Sequence, residues 1–598
     1  MNGFISVRAR HPWASLLLCV AATLAQAQTP DTAESRALHA LFERDWDDSA
    51  RDFPEWATYR GDHRFGDKLT DMSAAAIAAR DARVQRTLEQ ARTIRRDQLS
   101  ATDRVSLDLF IERAQRAAGM AAFPAYRTLS LRALGGPHTA LPDLLNASPV
   151  QRREQILQMI ARLAATPKRL DDEIDSLRRG MAAGYVSSRD VLQRVLTQID
   201  GQLPGDVTAS PFYAPFTRLS PSIPADERTA LQAQAREAIT RHVEPALRKL
   251  RAFVADEYLP KAPADGALKN YPDGERVYEM LIRQQTTTTM SAAEIHALGQ
   301  RELTRLRAEM EAVMKQTQFN GDFAAFVKYL NSEPKFFHAS PEALIAGYRD
   351  IAKRLDPEMP KLFAELPRAP YGVQPMPTHL GANRAEYYQG PALDGSRAGN
   401  FFANSLSFKR RPIWAMETLV AHETVPGHHM QVARASELKG LPPFRRQNSG
   451  YTAFSEGWAL YAETLGFDVG LYTDPYSRFG HLQALAFRAA RLVTDTGIHA
   501  LGWSRQQAID FMVERTGQER EFISGEIDRY TSNPGQALAY MIGKLKFDEL
   551  RDRAKARLGA RFDLRRFHNA VLDNGALPLD TLERLVDEWI AEVLKKTG

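Results

Sequence analysis

Cysteine is almost absent from this chain, whose 598 residues contain only Cys19. Cys19 lies within the first 27 residues, which have the features of a secretory signal: Arg8 and Arg10, an apolar run, and a small-x-small cleavage site ending at Ala27. Cleavage there would leave a mature chain that begins near Gln28 and contains no cysteine. Such a protein has neither disulfides nor thiolate ligands, so any zinc in it must be held by histidine and carboxylate.

Long apolar runs and strong charge are also missing. The apolar run of the signal, roughly a dozen residues, is too short to span a bilayer, and the residues before Cys19 lack the small side chains of a lipoprotein signal. No other segment is apolar enough to cross a membrane, so we expect no stable membrane anchor after cleavage. We therefore expect a periplasmic or secreted protein.

The charge balance gives little sign of a polyanionic partner. The signal carries two arginines and no acid, so its removal lowers the formal net charge from +5 to about +3. The chain also lacks a basic tract with interleaved aromatic residues. We therefore expect no nucleic-acid binding.

Helical patterns dominate the sequence. Residues 73–95, 101–120 and 151–182 carry apolar residues at helical spacing, and the first half has no sustained period-two alternation. Strand character is found mainly at residues 386–389 and 400–406, which predict a small sheet. That sheet could offer an edge to an extended peptide, or could be only a structural hairpin.

The length of the chain favours two lobes, each with its own hydrophobic core. We predict a signal peptide at residues 1–27, an N-terminal helical lobe at residues 28–290, and a C-terminal lobe carrying a metal site at residues 291–598.

The metal site is predicted from residues 421–431, Ala-His-Glu-Thr-Val-Pro-Gly-His-His-Met-Gln. In the standard zinc-hydrolase helix, two histidines one turn apart hold the metal, and the glutamate after the first polarises a bound water. Here the position one turn after His422 is Pro426, which lacks the N–H that a helix needs. We therefore predict a helix from about Pro412 that bulges at Pro426 and Gly427, where Gly427 is free to take positive φ, and then resumes.

The bulge decides which histidine is the second ligand. If it absorbs two residues, His428 takes the place of a histidine one turn after His422. In an unbroken helix, His429 would share the face of His422 but lie roughly 10 Å further along the axis. We favour His428, keep His429 as the alternative, and assign Glu423 as the general base. The apolar approach to His422 favours a buried metal site over an exposed polar turn.

A third ligand is expected from the helical pattern at residues 454–463, where Glu456 and Glu463 share one face. We assign Glu456 as the ligand and Glu463 as an acid that orients a histidine. The alternative is a solvated pair of acids on an exposed face.

Two later segments supply candidates for contact with substrate. Residues 488–499 place two arginines, Asp495 and His499 at spacings of three and four, which fits either a surface salt-bridge ladder or a substrate donor, His499, oriented by Asp495. A tyrosine hydroxyl can stabilise the oxyanion of a tetrahedral intermediate. Tyr540 is the first candidate for this role and Tyr530 the second.

Taken in order, these segments resemble the bacterial family catalogued as domain of unknown function 885, which is similar to the thermolysin-like clan of zinc peptidases. The resemblance covers nearly the whole mature chain, and the family motif His-Glu-x-x-Pro-Gly-His falls on His422, Glu423 and His428. It supports a mainly α fold in which two helical lobes surround a deep cleft, with a small β-sheet beside the metal-binding helix. This architecture would resemble that of neurolysin and angiotensin-converting enzyme.

The sequence thus predicts an exported zinc metallopeptidase that holds one Zn²⁺ with His422, His428 and Glu456 and cleaves short peptides or peptide-like substrates. Glu423 would take a proton from the attacking water, and Tyr540 or His499 would stabilise the oxyanion. Two alternatives stay open: a zinc amidase acting on a non-peptide amide or cell-wall fragment, and a non-catalytic periplasmic binding protein.

Overall fold

The computed structural model describes residues 32–377, 381, 384–447 and 450–596. The predicted signal peptide, residues 1–27, lies outside the described residues. Helices make up 71% of the structure and strands 3%, which confirms the prediction of a mainly α protein with a small sheet. Within the described ranges, no helix combines the length and the apolarity needed to cross a bilayer.

The first half of the chain folds into helices joined by turns and short 3₁₀ or π segments. These helices are α1 (Ala33–Asp52), α2 (Pro54–Tyr59), α3 (Ala74–Thr93), α4 (Ala101–Ala121), α5 (Pro137–Ala147), α6 (Arg153–Ala182), α7 (Arg189–Asp200), α8 (Ala225–Ala238), α9 (Glu244–Phe253) and α10 (Gly274–Thr286). Helices α3 and α4 begin after Ser73 and Ser100, whose hydroxyls accept hydrogen bonds from backbone N–H groups three residues on.

The second half continues with longer helices around a buried centre. They are α11 (Ala292–Gln316), α12 (Phe323–Ser332), α13 (Pro341–Leu355), α14 (Met359–Leu362), α15 (Met416–Glu423), α16 (His428–Ser436), α17 (Pro443–Arg446), α18 (Thr452–Thr464), α19 (Pro475–His499), α20 (Arg505–Thr516), α21 (Arg520–Ser532), α22 (Ala539–Leu558), α23 (Leu564–Leu572) and α24 (Leu579–Lys595). Helix α19 is buried along most of its length and packs against α11, α15 and α20.

A small sheet precedes α15. Its strands are β1 (Tyr371–Pro375), β2 (Tyr387–Gln389) and β3 (Gly399–Ala403), in the order β1-β3-β2, with β1 parallel and β2 antiparallel to β3. Strands β2 and β3 fall on the two predicted segments. Strand β1 was not predicted, because its sequence Tyr-Gly-Val-Gln-Pro contains two residues that are depleted in strands.

Two hydrophobic cores stabilise the part of the chain that the structure describes. One lies within residues 131–262 and joins α5 to α9. The other joins α1, α3 and α4 to the helices from α10 onwards, as in the ring contact of 4.9 Å between Phe42 and Phe444. The predicted boundary between lobes at residues 290 and 291 stays a prediction.

Candidate metal centre

A cavity of about 1000 Å³ is lined by both halves of the chain. The N-terminal half contributes Trp56 and Tyr59 of α2, and the following Arg60. The C-terminal half contributes strand β2 and residues of α15, α16, α18, α19 and α22. The helices therefore surround a cleft, as the sequence analysis predicted.

The helix that contains the predicted metal motif is interrupted between Glu423 and His428. Helix α15 starts at Met416, after a 3₁₀ turn, and ends at Glu423; α16 starts at His428. Between them the indole N–H of Trp458 donates to the carbonyl oxygen of Pro426 at 3.0 Å. Gly427 has a φ of −81°, so it does not use its freedom to take positive φ. Glycine is needed there because a Cβ would lie only 2.0 Å from the carbonyl oxygen of His422.

The break brings His422, His428 and Glu456 together, with one ligand atom from each within 4.8 Å of the others. Oε2 of Glu456 lies 3.3 Å from Nε2 of His428 and 3.6 Å from Nε2 of His422. These distances exceed those of a well-formed hydrogen bond, about 2.9 Å. They match the roughly 3.3–3.5 Å between nitrogen and oxygen ligands around a tetrahedral zinc ion. The three side chains therefore form a possible metal site.

Glu463 orients His422 from the side opposite the metal site. Nδ1 of His422 donates to Oε1 of Glu463 at 2.8 Å, so Nε2 is left to face His428 and Glu456. The other oxygen of Glu463 accepts from the hydroxyl of Thr418 at 2.5 Å. Burial lowers the pKa of His422, but the neighbouring carboxylates outweigh burial and raise it to about 9. Glu463 thus has the position predicted for it.

His429 points away from the metal site. Its Nε2 donates to the carbonyl oxygen of Ala369 at 3.1 Å, so its Nδ1 accepts from the hydroxyl of Tyr388 at 2.8 Å. Burial lowers the pKa of His429 to about 4, which keeps the ring neutral. Both ring nitrogens are therefore occupied, and the geometry favours His428 as the ligand.

Glu423 lies beside the metal group and lines the cavity. Its side chain is buried, and among the described residues its Oε2 has no hydrogen-bond partner. Burial raises the pKa of this carboxyl group. An unpartnered buried carboxylate is costly, and a water molecule beside a metal ion would satisfy it. The residues present therefore fit a metal ion with a water and a base beside it.

Tyr540 is the candidate tyrosine that lines the cavity. Its ring is stacked on the ring of His422, with centroids 6.4 Å apart and an interplanar angle of 14°. Its hydroxyl oxygen accepts from Arg529 at 3.0 Å and from Gln536 at 3.3 Å. Because the Tyr540 oxygen is the acceptor in both hydrogen bonds, its hydroxyl proton is left to donate into the cavity.

Tyr530 and His499 lie in the protein interior, away from the lining of the cavity. The hydroxyl of Tyr530 donates to Glu526 and accepts from Arg491. Nε2 of His499 donates to the carbonyl oxygen of Tyr530, and Nδ1 accepts from the backbone N–H of Leu268, each at 3.1 Å. The expectation that His499 donates to substrate is therefore corrected: both of its ring nitrogens hold the backbone in place.

Asp495 does not orient His499. Its carboxylate accepts from the hydroxyl of Tyr278 at 2.6 Å and from the backbone N–H of Gly535 at 3.0 Å. Burial raises the pKa of Asp495 to about 7, although these two hydrogen bonds lower it. Asp495 therefore fixes the turn before α22, the helix that carries Tyr540.

Of the two alternatives left open for residues 488–499, the surface salt-bridge ladder is wrong for the two arginines. Arg491 is 3% exposed and Arg488 is partly buried, and both line the cavity rather than forming a surface ladder. The signal was available in the sequence, because apolar residues occupy every face of α19 and predict a helix buried all round.

Comparison with known proteins identifies relatives but not an activity. The family described as bacterial protein of unknown function (DUF885) matches residues 54–586. No match is found among curated proteins. The crystal structure of a proposed lipoprotein from Colwellia psychrerythraea is 28% identical, with a TM-score of 0.87 over 94% of this chain and 99% of its own.

Two further solved structures are more distant. A proposed lipoprotein of unknown function from Shewanella oneidensis is 17% identical, with a TM-score of 0.69 over 93% of this chain and 99% of its own, and so shares the fold. A proposed oligoendopeptidase F from Bacillus anthracis str. Ames is 12% identical, with a TM-score of 0.30 over 86% of this chain and 96% of its own. That last overlap is too low to indicate a shared mechanism, so the resemblance to thermolysin-like peptidases stays a prediction.

Proposed function

We propose that this chain, which belongs to the DUF885 family of bacterial proteins of unknown function, is an exported zinc-dependent peptidase that cleaves short peptides. The observation that carries the proposal is the grouping of His422, His428 and Glu456 beside Glu423, whose buried Oε2 has no hydrogen-bond partner among the described residues, in a cavity that both halves of the chain line. A non-catalytic binding protein could use the metal ligands for stability, but it would have no use for a buried base next to them.

Different residues of the chain have different roles in the proposed hydrolysis. A zinc ion held by His422, His428 and Glu456 would supply Lewis-acid polarisation of the substrate carbonyl and a bound water of lowered pKa. Glu423 takes a proton from the attacking water, and burial raises the pKa of its carboxyl group, the direction that favours accepting a proton. Tyr540 donates its hydroxyl proton as a hydrogen bond to the developing oxyanion.

The bond changes of the reaction balance without a further reactant. The water oxygen becomes part of the new carboxylate as the C–N bond of the peptide breaks. The proton held by Glu423 passes to the leaving nitrogen, and the second proton of the water, lost from the new carboxylic acid group, completes the ammonium group of the product. The reaction therefore needs only water and the peptide.

The shape of the site favours peptides over folded proteins and over other amides. A cavity of about 1000 Å³ encloses a few residues of an extended chain but no folded domain. Among the described strands, β2 pairs only with β3, and the β2 residues Tyr387, Tyr388 and Gln389 line the cavity. A sheet edge at a cavity suits main-chain pairing with an extended peptide. This edge supports a peptide substrate over a non-peptide amide.

Export is supported by the relatives and by the sequence. The two most similar structures reported above come from proteins described as lipoproteins. Mass spectrometry of the protein isolated from bacterial envelopes tests how the protein is exported and processed. A mature N-terminus at Gln28 is expected from the sequence, whereas an acylated Cys19 would show a lipid-anchored form instead.

One combined experiment tests the proposed function. The purified mature protein is subjected to elemental analysis and then incubated with a peptide library, with and without a chelator. We expect one zinc per chain and chelator-sensitive cleavage of short peptides. Zinc without cleavage of any peptide would favour a non-catalytic protein or an amidase for other substrates, and absence of metal after zinc addition would end the proposal.

A further inference from the structure

A group of arginines forms one wall of the cavity close to the metal site. Arg488 and Arg491 come from α19 and Arg529 comes from α21, and all three line the cavity. Arg491 is 3% exposed and Arg529 is 9% exposed. We call these three residues the arginine wall. Burying two guanidinium groups side by side is costly unless carboxylates compensate their charge.

The arginine wall has more positive than negative charge. Arg491 and Arg529 share one carboxylate, Glu526, whose Oε2 accepts at 2.8 Å and 3.2 Å. The nearest carboxylate of Arg488 is Glu463, at 3.8 Å, which is already engaged with His422. One buried positive charge therefore has no carboxylate of its own within this group.

An unused donor in the arginine wall points to a ligand. Nη1 of Arg491 has no hydrogen-bond partner among the described residues, although the side chain is almost fully buried. The nearby carboxyl group of Asp495 is engaged with Tyr278 and Gly535 and forms no ion pair with the wall. A carboxylate from outside the chain would satisfy both the free N–H groups and the excess charge.

The distance from the metal site sets which carboxylate can reach the wall. The ring centroids of His422 and Tyr540 are 6.4 Å apart. The guanidinium carbon of Arg491 lies 4.4 Å from the centroid of the Tyr540 ring. The guanidinium therefore lies within about 11 Å of the ring that would hold the metal. An extended peptide advances roughly 3.3–3.6 Å per residue, so a separation of this size corresponds to about three residues between the bound carboxylate and the bond being cleaved.

We propose that the arginine wall binds a carboxylate of the substrate, the C-terminal carboxylate of a peptide, so that the protein releases fragments of one to three residues from C-termini. The proposal rests on the peptidase function argued above. An acidic side chain near the cleaved bond offers the same chemistry, and the experiment separates the two sources.

The first test compares peptides that differ only in their carboxylates. Acetyl-tetraalanine with a free C-terminus is compared with its C-terminal amide, using the zinc-loaded protein. We expect kcat/KM for the free acid to exceed that for the amide by roughly 10- to 150-fold, the range for a hydrogen bond to a charged group. Equal rates would overturn the proposal. If acetyl-Ala-Ala-Glu-Ala amide matched the free acid, the wall would be assigned to a side-chain carboxylate.

A variant and a matched control locate the effect. Arg491→Gln should reduce the ratio of kcat/KM for the free acid to kcat/KM for the amide to within about threefold, because only the acid loses a charged partner. Arg551 of α22 serves as the control, since it is partly buried, bonds to Asp468 at 3.2 Å and lies outside the cavity lining. Arg551→Gln should keep the full preference. A damaged fold would lower both rates together, and an unchanged ratio in Arg491→Gln would contradict the assignment.

A measurement of peptide binding separates failure of this inference from failure of the proposed function. Titration calorimetry of the zinc-loaded Glu423→Gln protein measures Kd for the acid and amide peptides without turnover. Tighter binding of the acid by roughly tenfold or more would support the wall even if the wild-type protein hydrolysed neither peptide. If the wild-type protein hydrolysed both peptides and the two Kd values were equal, the proposed peptidase function would stand and the binding role of the arginine wall would be rejected. Absence of binding by either peptide would overturn the inference.

Discussion

Nδ1 of His422 donates to Oε1 of Glu463 across 2.8 Å, inside a part of the protein where Glu463 is fully buried. This bond fixes both the tautomer and the ring plane of His422, and it leaves Nε2 free toward Glu456. Two acids seven residues apart on α18 thus act on opposite sides of one imidazole. The spacing that made both acids candidates from the sequence has a direct structural use.

Replacing Glu463 should weaken metal binding without removing a ligand. Glu463→Gln keeps the shape of the side chain but loses its charge, so His422 becomes a weaker and less firmly oriented ligand. We expect zinc affinity to fall roughly 10- to 100-fold, measured by competition with a chelator. Glu112→Gln is the control, because the Glu112 carboxylate likewise accepts a side-chain hydrogen bond, from the buried Tyr451, but lies outside the cavity lining. Unchanged affinity in Glu463→Gln would contradict this orienting role.

Glu423→Gln should keep zinc but lose hydrolysis. The amide cannot accept a proton from water, while His422, His428 and Glu456 are untouched. We expect kcat to fall by roughly 10²- to 10⁴-fold, with zinc content near one per chain by elemental analysis. Loss of zinc in this variant would show that Glu423 is a ligand rather than a base, and full activity would remove it from the mechanism.

The two adjacent histidines should differ sharply in their effect on metal content. His428→Ala removes a ligand and should lower zinc occupancy strongly after dialysis. His429→Ala removes hydrogen bonds to Tyr388 and Ala369, so it should cost stability and leave most of the zinc. Elemental analysis and thermal unfolding of both variants give the two readouts. The opposite order of zinc loss would assign His429 as the ligand.

The sequence predicted the grouping of His422, His428 and Glu456 better than its surroundings because these positions follow local rules. Pro426 indicates a break in the helix, and the break favours His428 over His429 as the predicted ligand. The role of Gly427 could not be read locally, because it depends on the carbonyl of His422 approaching within 2.0 Å of where a Cβ would stand. The sequence showed the glycine but not the contact.

Long-range packing explains the predictions that failed. His499 and Asp495 have the spacing of a catalytic pair, yet their partners are Leu268, Tyr278 and Gly535, which are distant in sequence or on another element. Nothing in the spacing along one helix reveals which backbone will pack against it. The same holds for the arginine wall, whose charges come from two helices.

Asp495 should make stability depend on pH. Its folded pKa is raised from 3.8 to about 7, so its protonated form stabilises the fold fully below pH 3.8, and this contribution is lost as pH rises to about 7. Asp495→Asn lacks this titration. From pH 4 to pH 8, the unfolding free energy of the wild type relative to the variant should fall by up to about 4 kcal/mol. Urea unfolding across this range measures the difference, and parallel pH profiles would contradict the assignment.

Tyr540→Phe removes one hydroxyl from the cavity and keeps the ring that stacks on His422, so zinc binding should survive. If the hydroxyl donates mainly to the transition state, kcat should fall by roughly 10²- to 10³-fold with little change in KM. Tyr530→Phe is the matched control, because its hydroxyl is buried against Glu526 and Arg491 rather than lining the cavity. That variant should lose stability and keep most of kcat. A Tyr540→Phe enzyme within about threefold of wild type, well below the expected loss of one donor, would end the case for Tyr540.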